Sequence, residues 1–293
     1  MLWFLSAVFF LFVLSGAALC RHALYGRRQT VPESVAWANE HVPFLPDIGA
    51  LEPVDLTGAE DHPLHGYFLR CGRDAKGCVI ITHGYTDTHI GALKYAKVYL
   101  DMGYDCLVYD LRGHGDNPRE ACTYSVRESA DLEAIIRFVR ERTSVVGLHG
   151  ESLGAATTAA VMKYRPNVAF AVCDCGFCDI IPVFKNAMKA IHVPAFFVHA
   201  ASLFSWLFHG VSFEEMRPLD ALGPEVRVPM LFIHGENDTF ISPEHSRRMH
   251  LTVPHSRMAL IPGAGHAASV LTDFDGYARV VREFVADIEN NAD

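Results

Sequence analysis

Positive charge is scarce in this sequence. Lys and Arg number 25 against 34 Asp and Glu, which gives 293 residues a net charge of -9. Proteins that bind nucleic acid carry a dense basic footprint, and no Lys/Arg cluster stands beyond the N-terminus, so that class is excluded. Cysteine is too sparse for a disulfide framework of the small secreted kind: there are eight, at Cys20, Cys71, Cys78, Cys106, Cys122, Cys173, Cys175 and Cys178. Cys78 and Cys106 lie in apolar runs, where a reduced thiol serves as a small core residue, and this usage mildly favours a reducing compartment. Internal repeats and low-complexity stretches are missing, which leaves out solenoids and disordered chains. Half the residues are apolar and there are 22 Gly and 15 Pro, the composition of a globular enzyme core.

One hydrophobic run stands apart. Leu2 to Leu19 carries no charge, and as a helix it would span ~27 Å, enough for the hydrocarbon core of a bilayer. No basic region precedes it, whereas Arg21, Arg27 and Arg28 follow it. The positive-inside rule then predicts a retained membrane anchor over residues 1–20 with the enzyme in the cytoplasm. A signal cleaved near Ser15-Gly16-Ala17, and hence secretion, is the alternative. Residues 21–53 read as a connector with an amphipathic helix at Ser34–Glu40.

Beyond the connector, short apolar runs alternate with helical patterns. Strands are predicted at Gly77–Thr82, Cys106–Tyr109, Val145–Leu148, Val168–Cys173, Met230–Ile233 and Met258–Ile261, and helices at Ala92–Met102, Ser125–Arg142, Ser152–Lys163 and Phe274–Ile288. In the second helix Leu132, Ile135, Ile136 and Val139 share one face, and Ser125 with Glu128 fits a capping box. Such alternation implies a mostly parallel sheet with helices on both faces. Residues 179–225 break the rhythm: aromatic-rich and without a strand, they read as an inserted helical lid.

The chemistry concentrates in three turns. Gly150-Glu151-Ser152-Leu153-Gly154 is a G-x-S-x-G sequence placed between an apolar strand and an alanine-rich helix, the setting of a nucleophile elbow. A serine hydroxyl is a weak nucleophile and needs a histidine base oriented by a carboxylate. In this chain order the acid follows the serine and the histidine comes last. Asp238, in the turn after Met230–Ile233, is the acid, with Glu236 as its neighbouring alternative. Of 16 histidines, His266 alone follows the last strand, in a glycine-rich turn, and is the base. His83, His114, His149 and His234 read as turn or scaffold residues. Two backbone N–H groups must hold the oxyanion, and Leu153 and Tyr85 are the candidates.

Together, His83-Gly84, Asp110-Leu111-Arg112-Gly113-His114-Gly115, the elbow, Gly235-Glu236-Asn237-Asp238 and Gly263-Ala264-Gly265-His266 resemble the α/β-hydrolase superfamily, over roughly residues 54–288. The Asp-x-Arg-Gly-His-Gly run is similar to the branch holding serine aminopeptidases, monoacylglycerol lipases and bacterial carboxylesterases. The resemblance implies a mostly parallel sheet of the eight-stranded type over residues 54–293, a cap between its sixth and seventh strands, and a structural role for Arg112 and His114 in a turn.

The expected activity is ester hydrolysis through an acyl-enzyme on Ser152, of the carboxylesterase or lipase kind, on a small uncharged substrate with an apolar acyl chain. Thioester hydrolysis, peptide hydrolysis and acyl transfer could run on the same triad, and a ligand-binding homologue without activity is the alternative of another class. This chemistry needs neither a metal nor an organic cofactor. Cys173, Cys175 and Cys178 have a C-x-C-x-x-C spacing but no fourth ligand at standard distance, so they are read as packing residues rather than a metal site. The aromatic stretch Val193–Val211 is expected to line the acyl pocket.

Overall fold

The computed structural model describes residues 2–72 and 74–292. Its centre is an eight-stranded sheet. In chain order the strands are β1 (Glu52–Thr57), β2 (Pro63–Leu69), β3 (Cys78–Thr82), β4 (Asp105–Tyr109), β5 (Val146–Glu151), β6 (Phe170–Asp174), β7 (Met230–Gly235) and β8 (Arg257–Ile261). Their order across the sheet is β1-β2-β4-β3-β5-β6-β7-β8. β2 runs antiparallel to both neighbours and every other pair from β4 onward is parallel.

Central strands are buried on both faces, which explains their continuous apolar runs. Side chains alternate between two cores: Cys78 and Ile80 of β3, with Leu107 and Tyr109 of β4, enter one, while Val79, Ile81, Cys106 and Val108 enter the other. β1 and β2 were not expected from the sequence. They form the antiparallel edge, β1 is largely exposed, and each carries a proline at or near its start, so neither shows an apolar run.

Ten α-helices are present among the described residues: α1 (Leu2–Leu24), α2 (Val31–His41), α3 (His89–Met102), α4 (Val126–Arg140), α5 (Leu153–Ala160), α6 (Ile180–Ala190), α7 (Phe197–His209), α8 (Glu244–Thr252), α9 (Ser269–Thr272) and α10 (Phe274–Ala292). Residues of α4 and α5 pack into the first core, and residues of α2, α3 and α10 into the second. α6 and α7 fill the interval between β6 and β7. α2 opens with a reciprocal cap, Thr30 N–H donating to Glu33 Oε2 at 2.8 Å and Glu33 N–H to Thr30 Oγ1 at 3.4 Å. At α4, Glu128 takes the N–H groups of Thr123 (2.8 Å) and Ser125 (3.0 Å).

The membrane reading of the N-terminus is overturned. Among the described residues no helix is long and apolar enough to cross a membrane, so the expected anchor over residues 1–20, and the cytoplasmic placement argued from it, do not stand. The C-terminal half of α1 packs against protein. Gly16 meets Ala200 and Phe204 of α7, Phe12 stacks at a tilt on Phe197 with centroids 5.6 Å apart, and Cys20 and Leu24 are buried in the first core. A hydropathy pattern alone does not distinguish lipid from a protein groove.

Arg112 joins three segments. Its Nε and Nη2 donate to Asp131 of α4 at 3.0 and 2.7 Å, and Asp131 also accepts the Ala59 N–H at 2.9 Å. Both side chains are buried. Removing one partner of such a pair leaves an uncompensated buried charge. Arg112→Met is therefore expected to lower the unfolding free energy by about 3 kcal/mol in urea titration. A loss below about 0.5 kcal/mol, the range of an exposed pair, would contradict this reading.

Candidate active site

The turn between β5 and α5 sets the first functional side chain. Ser152 adopts φ 51° and ψ -108°, a strained conformation for a residue with a side chain. Its N–H is held by Asp174 O at 2.8 Å, at the end of β6. α5 starts so close to β3 that a β-carbon on residue 154 would lie 2.0 Å from Thr82 O. Only glycine fits there, which gives the last position of the G-x-S-x-G run its physical reason.

Ser152 Oγ lies 3.0 Å from His266 Nε2, and His266 Nδ1 lies 2.7 Å from Asp238 Oδ2. The structure thus brings together the serine, histidine and aspartate singled out in the sequence. Glu236 is exposed, and the carboxylate at His266 belongs to Asp238. Asp238 Oδ1 accepts the N–H groups of Phe240 and Ile241, each at 2.9 Å. Burial opposes the charge of Asp238, yet hydrogen bonds from His234 and His266 outweigh it and hold the carboxyl well below the usual carboxylate range. An ionised carboxylate only accepts, so His266 donates from Nδ1 and presents the Nε2 lone pair to the Ser152 hydroxyl.

His234 was read as scaffold, and its contribution to the site is larger. Its Nε2 faces Asp238 Oδ2 at 3.1 Å and Ile241 O at 2.8 Å, both acceptors, while Nδ1 faces Ser246 Oγ at 2.7 Å. The proton therefore sits on Nε2 and secures the acid from behind. The signal in the sequence was the i, i+4 spacing of His234 and Asp238 across the turn after β7. His83, His114 and His149 hold turns and core, as expected: His83 Nε2 accepts Leu111 N–H at 3.0 Å, His114 Nε2 reaches Tyr85 O at 2.6 Å, and Tyr99 Oη meets His149 Nδ1 at 2.8 Å. Burial pushes His149 down to about 3, so it stays neutral.

A second charged group lies beside Ser152. Glu151 is buried against the Lys94 ammonium, and Tyr95 Oη donates to Glu151 at 2.5 Å and approaches Asp174 at 3.1 Å. Burial works against the Lys94 charge, and Glu151 and Asp87 more than restore it. Asp174 differs: burial and then the charge of Glu151 push its carboxyl up to about 6, against the hydrogen bonds from Ser269 and Tyr95.

The residues proposed as oxyanion donors share a cavity with Ser152. Gly84 comes against Glu151 and Ser152, and Gly84, Tyr85 and Leu153 line the same cavity of about 800 Å³ as Ser152 and His266. From the segment between β6 and β7 the apolar wall is α6 and the residue after it, through Val183, Phe184, Ala187, Met188 and Ile191, joined by Phe213. This corrects the expectation for Val193–Val211. Phe196, Leu203, Trp206, Leu207 and Phe208 are exposed, while Phe197 and Phe204 pack on the first core. The helical spacing of Ile180, Val183, Phe184, Ala187, Met188 and Ile191 was the legible sign of the true wall. Cys173, Cys175 and Cys178 are buried, and burial pushes each thiol up, which disfavours the thiolate a metal requires.

Comparison with known proteins bears on the family and the fold. The family model described as serine aminopeptidase, S33, matches residues 73–222. The chain belongs to the S33 serine aminopeptidase family of hydrolases. YqkD of Bacillus subtilis, an uncharacterised protein, is 27% identical over 81% of this chain and 80% of its own. The sn-1-specific diacylglycerol lipase ABHD11 of mouse is 25% identical over 68% of this chain and 78% of its own. Among solved structures, the Pyrococcus furiosus esterase Pf2001 superposes with a TM-score of 0.63 at 20% identity, over 81% of this chain and 92% of that one. The α/β-hydrolase fold of this S33 hydrolase is thereby shown, with a mostly parallel eight-stranded sheet covered by helices on both sides.

The raised carboxyl of Asp174 makes a pH prediction. Pushed up to about 6 from the 3.8 of an ordinary Asp carboxyl, Asp174 binds a proton in the folded protein that the unfolded chain releases. Stability from this group is present below the unfolded value and is lost as pH rises through the folded one. Asp174→Asn removes that loss, so the variant should gain about 3 kcal/mol relative to the parent between about pH 4 and pH 7 in denaturant titrations. A difference that stays constant over this range would show that Asp174 ionises normally.

Proposed function

We propose that the protein is a serine hydrolase that cleaves an ester-type acyl bond through an acyl-enzyme on Ser152. The observation that carries this reading is the unbroken run of contacts from Asp238 through His266 to Ser152 Oγ. His266 takes the Ser152 proton as the oxygen attacks the carbonyl carbon, and returns it to the leaving alcohol. The N–H groups of Tyr85 and Leu153 receive the oxyanion. Water, deprotonated by His266, then releases the acid and regenerates the serine. Catalysis resides in residues 54–293, and residues 179–225 act as the lid.

An ester of carboxylesterase or lipase type, with a small apolar acyl part, is the substrate class we assign. The apolar face of α6 on the cavity supports it, as do the lipase and esterase named among the similar proteins. An aminopeptidase requires a free acid for a substrate ammonium. Glu151 of this cavity is already paired with Lys94, and Asp87 accepts from Ser34 and the Thr88 N–H. That pairing places peptide hydrolysis behind ester hydrolysis.

Ser152→Ala is expected to lower kcat on p-nitrophenyl butyrate by about 10⁴-fold or more with the fold intact. Asp238→Asn should cost about 10³- to 10⁴-fold, because His266 would then hold its proton on the wrong nitrogen. Activity within about tenfold of the parent in either purified variant would remove that residue from the mechanism. Across acetyl, butyryl and octanoyl esters kcat/KM should rise by up to about fourfold per buried methylene until the cavity is full. A falling series together with efficient cleavage of aminoacyl amides would favour the peptidase.

A further inference from the structure

We propose that the C-terminal end of α1, with the loop running to Gln29, is a fixed wall of the substrate cavity and sets the length of acyl chain it accepts. This rests on the ester-hydrolase reading and adds a specificity element outside the sheet and lid. Leu19, Ala23, Gly26 and Gln29 line the same cavity as Ser152 and His266. Leu19 and Ala23 are the apolar members, and both pack on the core that holds Leu153, Val183 and Met188.

The wall is built in rather than resting on the surface. The last carbonyls of a helix lack partners within it and fall to water unless the protein supplies donors. Here Ala23 O accepts the hydroxyls of Tyr85 and Tyr124, each at 2.8 Å, and Leu24 O accepts the Cys122 N–H at 3.0 Å and Arg28 Nη2 at 2.8 Å. Two bonds return from the loop: Gly26 N–H donates to Tyr85 Oη at 2.9 Å and Gln29 N–H to Thr86 O at 2.8 Å. A β-carbon on residue 26 would lie 2.8 Å from Tyr85 Oη, so glycine allows this approach. Two of these partners, Tyr85 and Thr86, belong to the loop that lines the cavity beside Ser152. The same helix packs along α7 of the lid through Gly16. A long acyl chain entering the cavity therefore meets side chains that are held in place.

The test uses the full-length protein and reads the ratio of kcat/KM for the octanoyl ester to that for the butyryl ester. Leu19→Trp and Ala23→Trp fill the wall and should lower this ratio by about tenfold, whereas Leu19→Ala should raise it by about threefold. Leu14→Trp changes an exposed residue of the same helix that does not line the cavity, and should leave the ratio within about twofold of the parent. Leu19→Ala adds no bulk, so the test survives a Trp variant that fails to fold. Unchanged ratios in the Leu19 and Ala23 variants, or an equal shift from Leu14→Trp, would overturn the proposal. A parent protein that labels no serine and hydrolyses no ester would instead sink the ester-hydrolase reading, and this proposal with it.

Discussion

The Asp238 carboxylate is buried, yet it keeps its charge because four donors face it. Phe240 and Ile241 N–H take one oxygen, and His266 and His234 take the other. Without those bonds burial would favour the neutral acid, and a neutral acid would not hold the proton of His266 on Nδ1. The orientation of His266, the free lone pair at Nε2 and the polarity of the Ser152 hydrogen bond all depend on this carboxylate. The strain at Ser152 belongs to a different part of the scaffold, the elbow between β5 and α5, where its N–H is held by Asp174 O at the end of β6.

Below the triad lies a second polar layer with the opposite character. Lys94 and Glu151 neutralise one another out of water, and Asp174 is left to a hydroxyl pair, Tyr95 and Ser269. Buried ion pairs add little net stability, because the loss of hydration offsets their attraction. Here the pair fixes the residue next to the nucleophile and leaves Glu151 unavailable as a free charge for a substrate. The polar layer and the apolar wall of α6 together favour an uncharged acyl group.

Sequence made the proposed catalytic residues legible because each follows an apolar strand in a glycine-containing turn. Ser152, Asp238 and His266 could be placed by chain order and by the strand each one follows. The edge strands were not legible: β1 presents Glu52, Pro53 and Asp55 and carries no sustained alternation. The segment between β6 and β7 was legible as an interruption, but the face it turns to the cavity was not. Aromatic density drew attention to α7, while the cavity is lined by the less conspicuous i, i+3, i+4 pattern of α6. The N-terminal run misled for a related reason, since Leu, Phe and Ala have the same hydropathy whether they meet lipid or, as here, a second helix.

The account depends on a single reactive serine activated through His266 and Asp238. Its most direct test is labelling with a fluorophosphonate, followed by peptide mapping by mass spectrometry. One adduct is expected, on the peptide that carries Ser152, and Asp238→Asn should slow its formation by about 10³-fold or more. An adduct on a different serine, or an unchanged labelling rate in Asp238→Asn, would contradict the account.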